Sequence, residues 1–290
     1  MTTINFIGCG KVGKTLARLF VDKKSAVVKG VCNLNEKSAQ AAVDFIREGK
    51  SYTDITQLSF ADIYFITTTD SAIEKVCEDL VRCNLLKKGV IVVHCSGSLS
   101  SEILKKARGA GCYTASIHPL KSFAHPEVSI TDFAGTFCSY EGDEEAYFIL
   151  HRLFSSIGAI VFRIKKEYKP LYHTASVIAN NYLIALHYTA SQCYQKSGIE
   201  PAMASKIASQ LMQEALKNLN SLSHTDALTG PLQRGDIETV KENLSALNNL
   251  PEIKNLYIIL AERLLLIAKI SEEKKAAFLT LFNKIQDKNL

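Results

Sequence analysis

Short apolar runs alternate with amphipathic stretches through the first half of the chain, whereas the second half carries amphipathic stretches of helical period alone. The run Ile4-Asn5-Phe6-Ile7 predicts a first strand, and Lys14-Thr15-Leu16-Ala17-Arg18-Leu19-Phe20 the helix after it. Further strands are expected over residues 26–32, 62–67, 90–94 and 113–117, and later over 135–140 and 159–164. Helices are expected over 36–48, where Ala39, Ala42, Val43 and Ile46 share one face, and over 71–81. Val90-Ile91-Val92-Val93 is β-branched throughout, as suits a parallel strand buried on both faces. Ser98 to Glu102 reads as a capping box opening another helix. Beyond Tyr168 the pattern predicts helices over 172–193, 201–219, 236–247, 256–270 and 272–285. The fold class is therefore α/β: a doubly wound, mostly parallel sheet over 1–165, then an all-helical domain over 166–290. The long apolar helix beginning near Pro170 is expected at the centre of that second domain, and apolar helical faces of this kind suit a homodimer.

Composition changes this picture little. At 290 residues the chain is long for one core, which favours two domains. A net charge of +5, with lysine and arginine dispersed, does not point to nucleic acid. The most apolar C-terminal stretch is broken by Glu262 and Arg263, and a membrane span is not expected. The first strand begins almost at Met1, and a signal peptide is not expected. Eight cysteines without a CxxC spacing read as reduced small hydrophobes, suggesting a cytoplasmic protein, and no metal site is expected.

The chemistry begins at Gly8-Cys9-Gly10-Lys11-Val12-Gly13, a G-x-G-x-x-G set between strand and helix. Gly8 would make the tight turn, Gly10 would let the backbone approach a pyrophosphate, and Gly13 would let helix and strand pack closely. The helix N-terminus would supply free N–H groups and a positive dipole end. About 20 residues beyond the last glycine, where an acid gripping the adenosine ribose is expected, stands Asn33. A neutral Asn33 with Lys37 nearby suits the 2′-phosphate of NADP, with NAD as the alternative. Polar residues follow the next strands at their carboxyl ends: Thr67, Thr68 and Asp70, then His94 and Ser96, then His118. Thr67, Thr68, Asp70 and Ser96 are candidates for the cofactor, and His94 for a substrate. In the helical part, Lys169, His173 and Asn181 fall within about 120° of one another on a regular helix. Lys169 at a helix start opposes the dipole, a local conflict of the kind that functional sites tolerate. The turn Gly230-Pro231-Leu232-Gln233-Arg234-Gly235-Asp236 offers Arg234 for a bidentate grip on an anionic substrate, and Asp236 as a helix cap.

With His94-Cys95-Ser96-Gly97-Ser98, His118-Pro119-Leu120-Lys121-Ser122-Phe123 and Tyr172-His173-Thr174-Ala175, these segments span both halves. Together they resemble the Rossmann-type proteins that carry a C-terminal helical domain of unknown function, distant relatives of pyrroline-5-carboxylate and ketopantoate reductases and of prephenate dehydrogenase. The glycine- and proline-rich C-terminal signature of true pyrroline-5-carboxylate reductases is absent. The resemblance implies NAD(P)-dependent oxidoreduction of a small carbonyl, imine or hydroxy-acid substrate in a cleft between domains. It implies His118 or His173 as proton donor or acceptor, Asn181 orienting the substrate oxygen, Lys169 facing a developing alkoxide and Arg234 holding a carboxylate. The competing expectation is a dinucleotide-binding redox sensor or interaction protein without turnover, which needs only the glycine cradle.

Overall fold

The computed structural model describes residues 1–286. Strand β1 (Thr3–Ile7) enters helix α1 (Lys11–Asp22) through the glycine turn, and the same strand–helix step repeats with β2 (Val27–Cys32) and α2 (Glu36–Ile46). A short β3 (Lys50–Tyr52) then leads to β4 (Ile63–Ile66), α3 (Asp70–Arg82) and β5 (Ile91–His94). Helix α4 (Lys105–Gly109) precedes β6 (Tyr113–Pro119), followed by α5 (Pro126–Ser129), β7 (Phe137–Gly142), α6 (Glu144–Ser156) and β8 (Ile160–Arg163). The eight strands form one sheet in the order β3-β2-β1-β4-β5-β6-β7-β8. The order reverses between β1 and β4, so the ligand crevice of such a sheet lies beyond the carboxyl ends of those two strands.

β4 and β5 are wholly buried, as their unbroken apolar runs require of central parallel strands. Phe6 and Phe65 stack at 5.0 Å between ring centroids, and Phe20 and Phe154 close that face from α1 and α6. Tyr64, Ile66 and Leu80 build the core on the opposite face. Two strands, β7 and β8, run against the rest. The connection from β6 to β7 carries the four-residue α5, and β7 returns antiparallel to β6. This return places Glu141 opposite Ser116 and Ser139 opposite His118.

Two local expectations change. The stretch from Ser98 forms no capping box: a 3-10 turn runs over Ser101–Leu104, and the Ser98 hydroxyl donates instead to Asp70. The predicted helix over 172–193 is interrupted. It is α7 (Lys169–Ser176), a π-turn over Val177–Asn181, and α8 (Tyr182–Lys196).

The chain divides into two compact units, Met1–Ala179 and from Asn180 onward, and the break falls inside the π-turn. Residues 166–179, read from the pattern with the helical part, thus pack with the sheet. The reason is Lys169, fully buried against β6 and β7. The second unit contains α8, α9 (Pro201–Leu219), α10 (His224–Ala227), α11 (Pro231–Arg234), α12 (Ile237–Ala246), α13 (Pro251–Leu265) and α14 (Glu272–Gln286). Its apolar core is made by Leu232, Val240, Leu244, Ile258, Ala261, Leu265, Phe278 and Phe282. Helix α8 is not central to it, since Ser191 is its single buried residue and Tyr182, Ile184 and Tyr188 are exposed. Among the described residues no helix is long and apolar enough to cross a membrane.

Candidate functional site

The glycine turn forms one wall of a cleft of about 940 Å³ at the β1–β4 reversal. Gly8 takes φ +72°, and a side chain there would start 2.2 Å from Thr68 Cγ2 and 2.8 Å from the Thr68 backbone. A Cβ at Gly13 would stand 2.5 Å from Thr67 Oγ1, so the absence of a side chain is what lets α1 approach β4. Gly10 differs from both. The nearest atom to its added Cβ is Gly8 O at 3.9 Å, and the residue is exposed at the cleft wall. It precedes α1, whose first turn has no side-chain cap, so its N–H groups are left for another partner.

The far end of the cleft is set by β2 and α2. Asn33 accepts a hydrogen bond from the Cys9 N–H at 2.7 Å and donates one to Ser38 O at 3.0 Å, tying the glycine turn to the start of α2. One amide hydrogen of Asn33 remains for a ligand. Lys11 and Lys14 line the cleft, as do Asp54, Glu127 and the ion-paired Asp79.

A second polar cluster stands where β5 and β6 end. A Cβ on the buried Gly97 would meet His173 Nδ1 at 2.8 Å and His118 Nε2 at 2.9 Å, so the two imidazoles close over a position that only glycine can occupy. His118 Nδ1 lies 3.2 Å from the Tyr172 hydroxyl, with the rings edge to face. Two buried polar atoms here have no partner in the protein, His173 Nδ1 and Ser139 Oγ. Buried groups of this kind rarely stay unpaired, so they mark a place for a bound polar group or water.

Lys169 lies beneath the cluster. Its ammonium group donates to Ser116 Oγ and stands 3.4 Å from Glu141 Oε1. Glu141 in turn accepts from the Ser101 N–H and hydroxyl, both at 2.7 Å. Burial, and then the Lys169 charge, hold His118 down to about 4 and His94 down to about 3, so both imidazoles are neutral at pH 7. Burial also lowers Lys169, while Glu141 opposes that shift.

Of the residues expected at the cofactor, Gly8, Cys9, Gly10, Lys11, Asn33 and Thr68 line the cleft. The others stand apart from it. Val12 and Gly13 turn into α1 packing, Thr67 donates to Gly8 O, and Lys37 is exposed on the outer side of α2. Asp70 accepts from the Ser96 and Ser98 hydroxyls, so Asp70 and Ser96 shape the loop after β5. The Cys9 N–H, already given to Asn33, is not free for a phosphate. His94 is not a substrate contact: it is fully buried, accepts from the Ser96 N–H and lies 3.3 Å from Ser100 O. Lys169 has no exposed surface and cannot touch a substrate directly. His118 and His173 do come together. Asn181 is exposed at the end of the π-turn, at the start of the second unit. Arg234 is exposed there at the end of α11, and Asp236 caps α12 by accepting from the Thr239 N–H. Tyr172, Gly97, Ser139 and Glu141 were not legible as site residues, although Tyr172 adjoins a histidine that was.

Residues 2–119 match the family model of the Rossmann-like domain, and residues 136–264 match that of a domain of unknown function, DUF2520. The DUF2520 match begins in β7, so it takes in Glu141, Lys169, Tyr172 and His173. Protein TM1727 of Thermotoga maritima is 28% identical over 94% of this chain and 98% of its own, with a TM-score of 0.71. BF3122 of Bacteroides fragilis, provisionally named an NADP oxidoreductase, is 21% identical over 91% of this chain and 98% of its own, with a TM-score of 0.73. The pyrroline carboxylate reductase of Plasmodium falciparum, solved with NADP bound, is 14% identical over 95% of this chain and 97% of its own, with a TM-score of 0.59. No curated protein matches the sequence.

Proposed function

We propose that the chain is an NAD(P)-dependent oxidoreductase that passes hydride between nicotinamide and a small carbonyl, imine or hydroxy-acid substrate. The observation that carries this reading is the pair of imidazoles over Gly97, with two unpaired buried polar atoms, on the same sheet edge as the open glycine turn. A sensor would need the turn but not the cluster. The residues of the cleft fit a dinucleotide: Gly10 leaves its approach open, and the uncapped N–H groups of α1 suit a pyrophosphate. NADP is the preferred form, because no carboxylate stands at Asn33 to repel a 2′-phosphate.

A bound nicotinamide would supply or take up the hydride. The chain's own part is the proton. His118, neutral and held by Tyr172, accepts it at Nε2 from a substrate hydroxyl when the alcohol is oxidised, and returns it when the carbonyl is reduced. The Lys169 charge behind it favours an oxyanion without touching the substrate. His173 supplies a second imidazole nitrogen to the same reacting group. The activities that the names of the Bacteroides and Plasmodium proteins carry support this assignment. The eight free thiols suit a cytoplasmic setting, and the exposed apolar residues of α8 and α9 suit a homodimer, which sedimentation tests.

The primary test is thermal denaturation with NADPH, NADH, NADP and NAD in turn, read by dye or calorimetry because the chain has no tryptophan. A ligand at a hundred times its dissociation constant stabilises by about 2.7 kcal/mol, enough to raise the midpoint by several degrees. NADPH should give the largest rise, and the loaded protein can then be screened against keto and imino acids. No rise with any of the four refutes the assignment.

A further inference from the structure

The proposed reaction uses His118 but leaves unexplained a carboxylate buried one strand away. Glu141 is 4% exposed on β7, and three interactions fix it: two from Ser101 and one from the fully buried Lys169. Lys169 has one other partner, the neutral Ser116 hydroxyl. A buried ammonium without a carboxylate gives up its proton, because desolvation penalises the charged form.

We propose that Glu141 is a positioning residue for the imidazole pair: it keeps Lys169 as an ammonium ion beneath His118, and that fixed charge, acting with burial, makes His118 harder to protonate. The inference rests on the acid–base role given to His118 above.

The charged and titratable groups around His118 are few. Helix α7 presents Lys169, Tyr172 and His173, α3 presents Asp70, β5 and its loop present His94 and Cys95, and β7 presents Cys138. Burial pushes the Cys138 thiol up to about 12 and also raises Cys95 and Tyr172, so these three stay neutral at pH 7. His94 is neutral as well. The charges that act on His118 are then Lys169 and His173 and, opposing them, Asp70. Lys169 is the strongest of the three, and Glu141 is its direct carboxylate partner.

The two roles open to Glu141 predict shifts of opposite sign. If Glu141 holds the proton on Lys169, replacing it with glutamine discharges Lys169 and His118 becomes easier to protonate. If Lys169 stays charged without it, losing a nearby negative charge makes His118 harder to protonate. The test follows the seven histidine Cε1–H signals by NMR in histidine-labelled protein, with His118 assigned by its loss in His118→Asn. Neither cofactor nor substrate is needed, so failure here is separable from failure of dinucleotide binding.

In the wild type, His118 should stay neutral down to about pH 5. In Glu141→Gln its midpoint should rise by about one unit or more, a tenfold gain in proton affinity. Lys169→Met should raise it likewise, and adding Glu141→Gln to Lys169→Met should raise it no further. An unchanged or lowered midpoint in Glu141→Gln overturns the proposal, as does an unchanged midpoint in Lys169→Met. Should Glu141→Gln fail to fold, Ser101→Ala takes its place. That variant removes the hydroxyl anchoring the carboxylate and should raise the midpoint in the same direction, and no change in it overturns the proposal.

Discussion

The three glycines of the first turn do different jobs, and alanine at each should separate folding from ligand binding. At Gly8 alanine would have to hold φ +72°, which costs a residue with a side chain about 1–2 kcal/mol. Its Cβ would also meet Thr68 Cγ2 at 2.2 Å and backbone atoms of Thr68 at 2.8 Å, an overpacking worth roughly 1–3 kcal/mol. The sum, about 2–5 kcal/mol, corresponds to a fall in midpoint of roughly 5–15 °C for a unit of this size. At Gly10 the backbone sits at φ −80° and the nearest atom is 3.9 Å away, so the methyl group of Gly10→Ala meets no clash. It should even stabilise by about 0.4–1 kcal/mol, through a less flexible unfolded chain. Yet its methyl group projects into the cleft that the pyrophosphate needs. The assay is thermal denaturation of each variant with and without saturating NADPH. Gly8→Ala should melt early. Gly10→Ala should melt at or slightly above the wild type but lose most of the NADPH-induced rise. A full NADPH response in Gly10→Ala would mean that the ligand does not pass over this turn, and a normal midpoint in Gly8→Ala would contradict the turn geometry itself.

Other consequences are open to direct measurement. His94 is fully buried and neutral, so between its ordinary value of 6.5 and about 3 the unfolded chain binds a proton that the folded one refuses. Stability should therefore fall as pH drops below that ordinary value, with His94 costing about 2 kcal/mol by pH 5, and urea titrations across this range should find a shallower slope in His94→Gln. Gly97→Ala places a methyl group within 2.9 Å of both imidazoles. It should abolish turnover while leaving the NADPH-induced thermal rise intact, and unchanged kinetics would remove the imidazole pair from the mechanism. Asn33→Asp keeps the acceptor for the Cys9 N–H but puts a negative charge at the ribose end of the cleft. Its calorimetric dissociation constant for NADPH should weaken about tenfold relative to that for NADH, and an unaltered ratio would show that Asn33 does not face the 2′-position.

What the sequence makes legible here depends on how local the cause is. The glycine turn, the β-branched strands and the Asp236 cap are each decided by neighbouring residues, and each stands where the pattern places it. The cluster under His118 is decided by topology. Lys169 reads from its neighbours as a cation at a helix start, a candidate to face a substrate oxyanion, and nothing around it shows that the antiparallel return of β7 brings Glu141 beneath it from 28 positions away. Asn33 falls between the two cases: its position is countable, but the commitment of its carbonyl to the Cys9 N–H is not. The helical half shows why apolar pattern alone overreaches. Residues 172–193 are as apolar as many core helices, yet the π-turn at Val177–Asn181 breaks the phase, and Tyr182, Ile184 and Tyr188 emerge exposed. Apolar residues inside is a one-way rule. In a parallel sheet with helices on both faces the central strands have nowhere else to be, so pattern and burial coincide. A helix has a face to choose, and that choice is made by what packs against it, which the sequence of the helix does not contain.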